Sequence, residues 1–175
     1  MIQTLIAVAL TIAMGVSGAG AKSGVETFGK WQLRISGHST GKKRAYLAYE
    51  LARGSELRVY CREIDGYPTP PSTRISYFLS VRLVAPKQDS GPSIDVTYAI
   101  GPKGERVSDE WRRPMVREKP GSIEATRVDA NEIISWMRHA AGRFELEALG
   151  QRLSASLGQF DSAMTALEPH CRRHE

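Results

Sequence analysis

The chain has 175 residues, and its 24 Lys and Arg exceed its 19 Asp and Glu, which gives a formal net charge of +5 at pH 7. No repeat-length period and no low-complexity stretch is present, so we exclude a repeat architecture and expect one domain with a real core. The basic residues are spread along the chain and form no basic-and-aromatic motif, which argues against a nucleic-acid partner.

The first predicted element is an apolar run, residues 5–16, followed by small residues at 19–21. This pattern is typical of a secretory signal peptide and predicts cleavage before Lys22. Residues 1–21 would then be removed, and residues 22–175 would form a single exported domain in the periplasm. The alternative is an uncleaved anchor, since the first four residues carry no Lys or Arg. No second apolar segment approaches membrane-spanning length, so we expect no stable membrane span after cleavage.

The next part of the chain predicts short antiparallel strands, because apolar and polar residues alternate along it. The predicted strands are residues 31–35, a hairpin over 45–62, 74–84, 94–100, 104–111 and 122–128. The longest of them, residues 74–84, should cross the centre of the sheet. The last two should pair with each other around a basic connection, residues 112–121.

The C-terminal third predicts two helices around a hairpin. Residues 129–132 have the form of a capping box, and the apolar residues after them recur at three-to-four spacing, which predicts a helix over residues 130–141. Alternation over residues 144–157 predicts the hairpin. A last helix should start at Phe160, with Asp161 capping its first turn. The predicted fold is therefore mostly β, an antiparallel β-sandwich or open barrel with two helices in the C-terminal third.

The two cysteines, Cys61 and Cys171, are far apart in sequence, and both follow the predicted signal peptide. Cys171 falls on the apolar face of the last predicted helix, and Cys61 lies on the apolar face of a predicted strand. In an oxidising compartment such a pair predicts a disulfide. The alternative is a metal site formed by Cys171 with His170 and His174. Since no other Cys/His cluster exists, we expect neither a metal nor a cofactor.

One motif raises a catalytic alternative, because residues 37–41 match the Gly-x-Ser-x-Gly nucleophile elbow with Ser39 as the attacking residue. The elbow requires a following helix, a parallel α/β sheet, and an acid and a histidine later in the chain. The chain shows no succession of βα units. A turn rich in glycine, serine and threonine between two strands explains the same residues, and we expect no enzyme activity.

Other charged residues offer weaker candidate sites. Asp109 and Glu110 are neighbours and should diverge on a strand, whereas Glu145 and Glu147 should share one hairpin face, solvated by the alternation. Two short basic clusters are the candidate contacts for an anion or a partner: Lys42, Lys43 and Arg44, then Arg112 and Arg113.

The order of several short motifs resembles a known family. They are Trp31, the run 57–61, the strand 96–100, Trp111, the helix 132–136 and the closing segment from Phe160 to Cys171. This order is similar to that of the small exported VasI-type proteins associated with type VI secretion, and more loosely to the invasion-associated locus B proteins. The resemblance implies an exported, non-enzymatic β-rich domain with a disulfide between the two matching cysteines.

The sequence therefore predicts a periplasmic accessory or binding protein without catalytic residues. Its partner would be an envelope protein or an anionic envelope component. Two alternatives stay open, a serine hydrolase that uses Ser39 and an inhibitor of a secreted enzyme such as a lysozyme, presenting residues 112–121.

Overall fold

The computed structural model describes residues 24–37, 43–65, 73–84, 91–102, 104–113 and 121–171. The predicted signal peptide, Ser39, Lys42 and most of the basic connection after Arg113 lie outside the described residues. Ten strands are defined: β1 Gly24–Phe28, β2 Trp31–Gly37, β3 Lys43–Glu50, β4 Glu56–Asp65, β5 Thr73–Val84, β6 Ser93–Ile100, β7 Val107–Arg112, β8 Ser122–Arg127, β9 Arg143–Ala148 and β10 Gln151–Ser156. Two α-helices accompany them, α1 Asn131–His139 and α2 Phe160–Leu167.

All ten strands belong to one open antiparallel sheet in the order β1-β2-β3-β4-β5-β8-β7-β6-β9-β10. The mostly β prediction with two helices in the C-terminal third is confirmed. β5 is the longest strand at 12 residues and stands fifth in the order, so its predicted central place is also confirmed. No helix in the described ranges has the length and apolarity that a membrane crossing requires.

The sheet curls until its two halves approach each other. The Trp31 indole Nε1 of β2 donates to the Ser156 carbonyl of β10 at 2.9 Å, and Gln151 Nε2 donates to the Val84 carbonyl at 3.2 Å. The core fills the enclosed space, because the apolar residues of each alternating strand face inward. On one side Trp31 packs against Phe160 of α2 with ring centroids 4.7 Å apart.

The structure contains one strand that was not predicted, since the predicted strands start at Trp31. β1 pairs with β2 from Gly24↔Ile35 to Phe28↔Trp31. Four of its five residues are exposed, so its sequence carries little of the apolar alternation that marks a half-buried strand. The two-residue connection starts at Gly29, whose φ of 60° suits glycine.

β7 and β8 are neighbours, as predicted, but among the described residues they share one registered pair, Arg112↔Thr126. β8 is paired with β5 over six positions, from Leu79↔Arg127 to Val84↔Ser122. The first half of β5 therefore needs another partner for its backbone groups.

The start of α1 supplies that partner, and the predicted capping box is wrong. Ala130 is the N-cap residue, no side chain caps the helix, and Asp129 adopts a left-handed conformation with φ 60°. Asn131 instead accepts a hydrogen bond from Tyr77 N–H at 2.8 Å through Oδ1, while Ala130 N–H donates to the Tyr77 carbonyl at 2.8 Å. The two residues continue the ladder of β5 where β8 has ended.

Asp161 does not cap α2 either. The N-cap residue is Gln159, and no side-chain hydrogen bond caps the helix. Asp161 lies in the first turn and accepts from Arg138 Nε of α1 at 2.6 Å, and Arg138 Nη1 also reaches Glu168 at 2.5 Å. Its carboxylate therefore joins the two helices.

The predicted disulfide is present and joins Cys61 of β4 to Cys171, with Cα atoms 5.1 Å apart. Cys171 follows a 3-10 turn, Glu168–His170, after the end of α2 and is buried. Because its sulfur is bonded to Cys61, the alternative metal site at Cys171 is wrong.

The local role of Asn131 can be tested by substitution. We expect Asn131→Ala to lower the free energy of unfolding by about 1–2 kcal/mol, since a β5 backbone donor loses its partner. Asp129→Gly, which keeps the left-handed conformation and removes the carboxylate, should change it by no more than about 0.5 kcal/mol. Urea denaturation of both variants measures the two values. A larger loss for Asp129→Gly than for Asn131→Ala would contradict this assignment.

Candidate functional site

The outer face of the central strands carries a polar and aromatic surface instead of the plain solvated face that alternation suggests. Its residues come from β2, β3, β4, β5 and β8 and are aligned by the antiparallel register: Arg34↔Tyr46↔Tyr60↔Phe78, Gln32↔Ala48↔Arg58↔Ser80↔Thr126 and Glu50↔Glu56↔Arg82↔Glu124. We call this surface, together with the exposed Arg44, Arg62 and Arg112 on the same side of β3, β4 and β7, the arginine face.

A buried carboxylate lies at its centre. Glu56 is 4% exposed, and its Oε1 accepts from Arg34 Nη1 at 2.7 Å while its Oε2 accepts from Arg58 Nη2 at 2.5 Å. Arg82 Nη2 lies 3.5 Å from the same Oε2. Arg34 also donates from Nη2 to Gln32 Oε1 at 2.8 Å. Charge-assisted bonds of this kind satisfy a carboxylate that is largely removed from water.

Arg58 connects the carboxylate to two tyrosines. Its Nη1 donates to the Tyr60 hydroxyl at 3.1 Å, and its guanidinium carbon lies 5.7 Å from the Tyr46 ring centroid. Burial acts to lower the pKa of Arg58, but Tyr60 and Glu56 outweigh it and raise that pKa above its usual range. Burial also raises the pKa of Tyr60, more than Arg58 lowers it. At neutral pH the pair is therefore a fixed cation beside a neutral phenol.

A second carboxylate extends the network to β8. Glu124 Oε1 accepts from the fully buried Ser80 hydroxyl at 2.5 Å, and its Oε2 lies 3.6 Å from Arg58 Nη1. The network thus crosses three adjacent strands, β4, β5 and β8. Such a network fixes the positions of its arginines more firmly than an isolated surface pair would.

Farther from Glu56 the same side of the sheet carries exposed arginines. Arg44, Arg62 and Arg112 are exposed on β3, β4 and β7, and they form no ion pair with another described residue. The Arg62 guanidinium lies 5.1 Å from the Phe78 ring centroid. Arginines beside tyrosine and phenylalanine favour recognition of an anionic group, because guanidinium forks bind carboxylates and phosphates.

The two predicted basic clusters are not brought together. Lys42 lies outside the described residues, Lys43 begins β3, and Arg44 is exposed near the same end of that strand. Arg112 and Ala48 of β3 lie in the same cross-strand row, and four strand spacings separate them. At about 4.8 Å per spacing the clusters are separated by roughly 19 Å across the sheet alone.

Within the second cluster the two arginines differ. Arg112 points outward on β7, whereas Arg113 is half-buried and its Nη1 donates to the Gly91 carbonyl at 3.2 Å. Of the predicted contacts whose side chains the structure describes, Arg44 and Arg112 belong to the arginine face and Arg113 does not. The sequence patterns did not identify the residues at its centre, which are Glu56, Arg34, Arg58 and Arg82.

The predicted divergence of Asp109 and Glu110 is confirmed. Asp109 Oδ2 lies 3.0 Å from Arg127 Nε, and Glu110 accepts a hydrogen bond from the Ser93 hydroxyl, so these neighbours diverge. Glu145 and Glu147 share the outer face of β9, beside a groove of about 430 Å³.

The second of those carboxylates is already paired. Glu147 accepts from Arg152 Nε at 3.0 Å and lies 3.5 Å from Arg106 Nη1. No group of three or more His, Cys, Asp or Glu within the described ranges is placed to hold a metal ion.

The element that follows residues 37–41 is a strand and does not suit a nucleophile elbow. The elbow would place the residues after Gly41 in a helix, but β3 begins at Lys43 and pairs antiparallel with β2. The motif therefore connects two antiparallel strands, as the turn interpretation predicted. Comparisons with known protein families, curated proteins and solved structures found no match to this chain.

Proposed function

We propose that the protein is exported to the periplasm and acts there as a binding or accessory protein of the cell envelope, without catalysis. The apolar run and small-residue site at its N-terminus support export. The disulfide between Cys61 and Cys171 supports it too, because such bonds persist in oxidising compartments. The resemblance to VasI-type proteins adds an association with type VI secretion to this proposal.

The observation that carries the binding role is the arginine face. Its centre is an ion-paired network in which three arginines surround Glu56, so this carboxylate serves as their shared counter-charge. The exposed Arg44, Arg62 and Arg112 lie on the same face. We infer that the partner is an anionic component of the envelope that contacts this face.

The experiment is co-sedimentation of the oxidised protein with separated membrane and peptidoglycan fractions. The double variant Arg62→Ser/Arg112→Ser removes two exposed cations of the face. We expect it to weaken binding by about tenfold, since two such contacts together contribute near 1.4 kcal/mol. Added salt should weaken wild-type binding, because exposed charges are screened.

The matched control is Lys30→Ser/Arg143→Ser, which removes two exposed cations outside the arginine face. This control should bind like the wild type. If both double variants lose binding equally, net charge explains the interaction and the face does not. Mass spectrometry of the periplasmic protein, with Lys22 expected as the first residue, tests the export step in the same material.

A further inference from the structure

A second candidate site lies on the other side of the sheet. A crevice of about 410 Å³ opens between α1 and the ends of β6 and β7. Its lining is mainly apolar and aromatic and includes Tyr98, Ile100, Val107, Trp136 and Ala140. This volume falls in the lower part of the range of roughly 300–1,000 Å³ that small-molecule sites occupy.

Trp136 marks the mouth of the crevice. It is 47% exposed, whereas Trp31 and Trp111 are fully buried, and Val107 across the crevice is 37% exposed. The buried side of α1 is formed by Ile133, Ile134 and Met137, so Trp136 is not needed to attach the helix to the core. Two exposed large apolar side chains facing one cavity are typical of a binding surface.

Tyr98 supplies a polar group inside the crevice. The residue is 6% exposed, and its ring packs against Phe144 with centroids 5.9 Å apart. No hydrogen bond from another described residue reaches its hydroxyl. Burial raises the pKa of Tyr98, and the nearby Asp109 raises it further. The phenol is therefore neutral and available to a ligand.

Two described carboxylates lie at or beside the crevice, whose lining also includes the imidazole of His139. Glu105 lines it, and Glu132 in the first turn of α1 acts electrostatically on the Tyr98 phenol. Neither carboxylate has an ion-pair partner among the residues that the structure describes. The neighbouring cation, Arg127, is paired with Asp109 at 3.0 Å. A cationic ligand would complement this surface.

We propose that the crevice binds a small organic cation whose charge is surrounded by methyl groups, a quaternary ammonium compound. The indole of Trp136 and the apolar lining favour the methyl groups, and aromatic rings attract such a cation through their quadrupoles. Glu105 and Glu132 provide the opposite charge. The arginine face lies on the outer side of the sheet, so this proposal is independent of the one above.

The test compares choline with 3,3-dimethylbutan-1-ol, which has the same shape with a carbon in place of the charged nitrogen. Titration of the oxidised, ¹⁵N-labelled protein by NMR should shift the Trp136 indole signal and leave those of Trp31 and Trp111 unchanged. Choline should bind about tenfold more tightly than the alcohol, as expected for a cation–π contact reinforced by carboxylates. Equal binding of the two compounds, or no binding of choline, would overturn the proposal.

Single substitutions test whether choline binds in the crevice. Saturation-transfer NMR on the choline methyl protons should show about tenfold weaker binding to Trp136→Leu and a smaller loss for Glu105→Gln. Glu145→Gln removes another exposed carboxylate, from the outer face of β9, and should bind choline like the wild type. If Glu145→Gln weakens binding as much as Glu105→Gln does, the interaction is general charge attraction and the crevice is not its site.

Discussion

Replacing Cys171 with serine is expected to lower the free energy of unfolding by about 2–5 kcal/mol. The bond joins residues separated by 110 positions. In the chain-entropy model a crosslink of this span stabilises a protein by about 4–5 kcal/mol, because the unfolded chain regains freedom when the link is absent. Urea denaturation of the oxidised wild type and of Cys171→Ser measures the difference.

The position of the bond adds to this expectation. Cys171 is buried just after the last helical turn, and Cys61 lies on β4 near the centre of the sheet. The bond therefore fixes the C-terminal helix to a strand that is more than 100 residues earlier in the chain. Without it, α2 is still held by the contact of Phe160 with Trp31 and by the ion pairs of Arg138. We expect a less stable protein with the same fold.

The double variant Cys61→Ser/Cys171→Ser is the control for an unpaired thiol. It should lose as much stability as Cys171→Ser, and wild type unfolded in the presence of a reductant should match both. If all three stay within about 1 kcal/mol of the oxidised wild type, the bond does not constrain the unfolded chain as argued.

Local patterns in the sequence predicted most of the fold. Strands such as β4 and β5 have an apolar inner face and a polar outer face, so alternation identifies them directly. With two cysteines only one intramolecular pairing was possible. β1 was missed because an exposed edge strand buries too little apolar surface to leave a pattern.

The helix caps were predicted wrongly for a different reason. The capping box at Asp129 uses only residues adjacent in sequence, whereas Asn131 bonds Tyr77, which is 54 positions earlier. The need for that bond arises from β8 ending at Arg127 beside β5. Only the assembled sheet shows which backbone groups lack a strand partner.

The arginine face was hidden for the same reason. Alternation placed Arg58, Tyr60 and Arg62 on one side of a strand, but it did not show which residues of other strands lie beside them. The prediction relied instead on consecutive basic residues, and neighbours on a strand point to opposite faces. Arg112 and Arg113 illustrate this, since the first is exposed and the second is half-buried.

The centre of that face gives the second large prediction. Glu56→Gln keeps the shape of the side chain and removes its charge, so Arg34, Arg58 and Arg82 lose their shared counter-ion. Breaking a fully buried ion pair costs about 3–5 kcal/mol, and here we expect about 2–3 kcal/mol because the arginines are partly exposed to water. Urea denaturation measures the loss, and high salt should reduce it by screening the repulsion among the arginines.

Glu50→Gln is the matched control, because Glu50 is exposed and registers directly with Glu56 on the adjacent strand. It removes the same charge and should change stability by no more than about 0.5 kcal/mol. Glu56→Gln should strengthen binding although it lowers stability. Because Glu56 neutralises part of the charge of these arginines, its loss should make the protein bind the anionic envelope fraction more tightly than the wild type does. Equal stability of Glu56→Gln and Glu50→Gln would mean that Glu56 does not offset the charge of the three arginines. Weaker binding by Glu56→Gln would mean that the anion contacts another part of the protein.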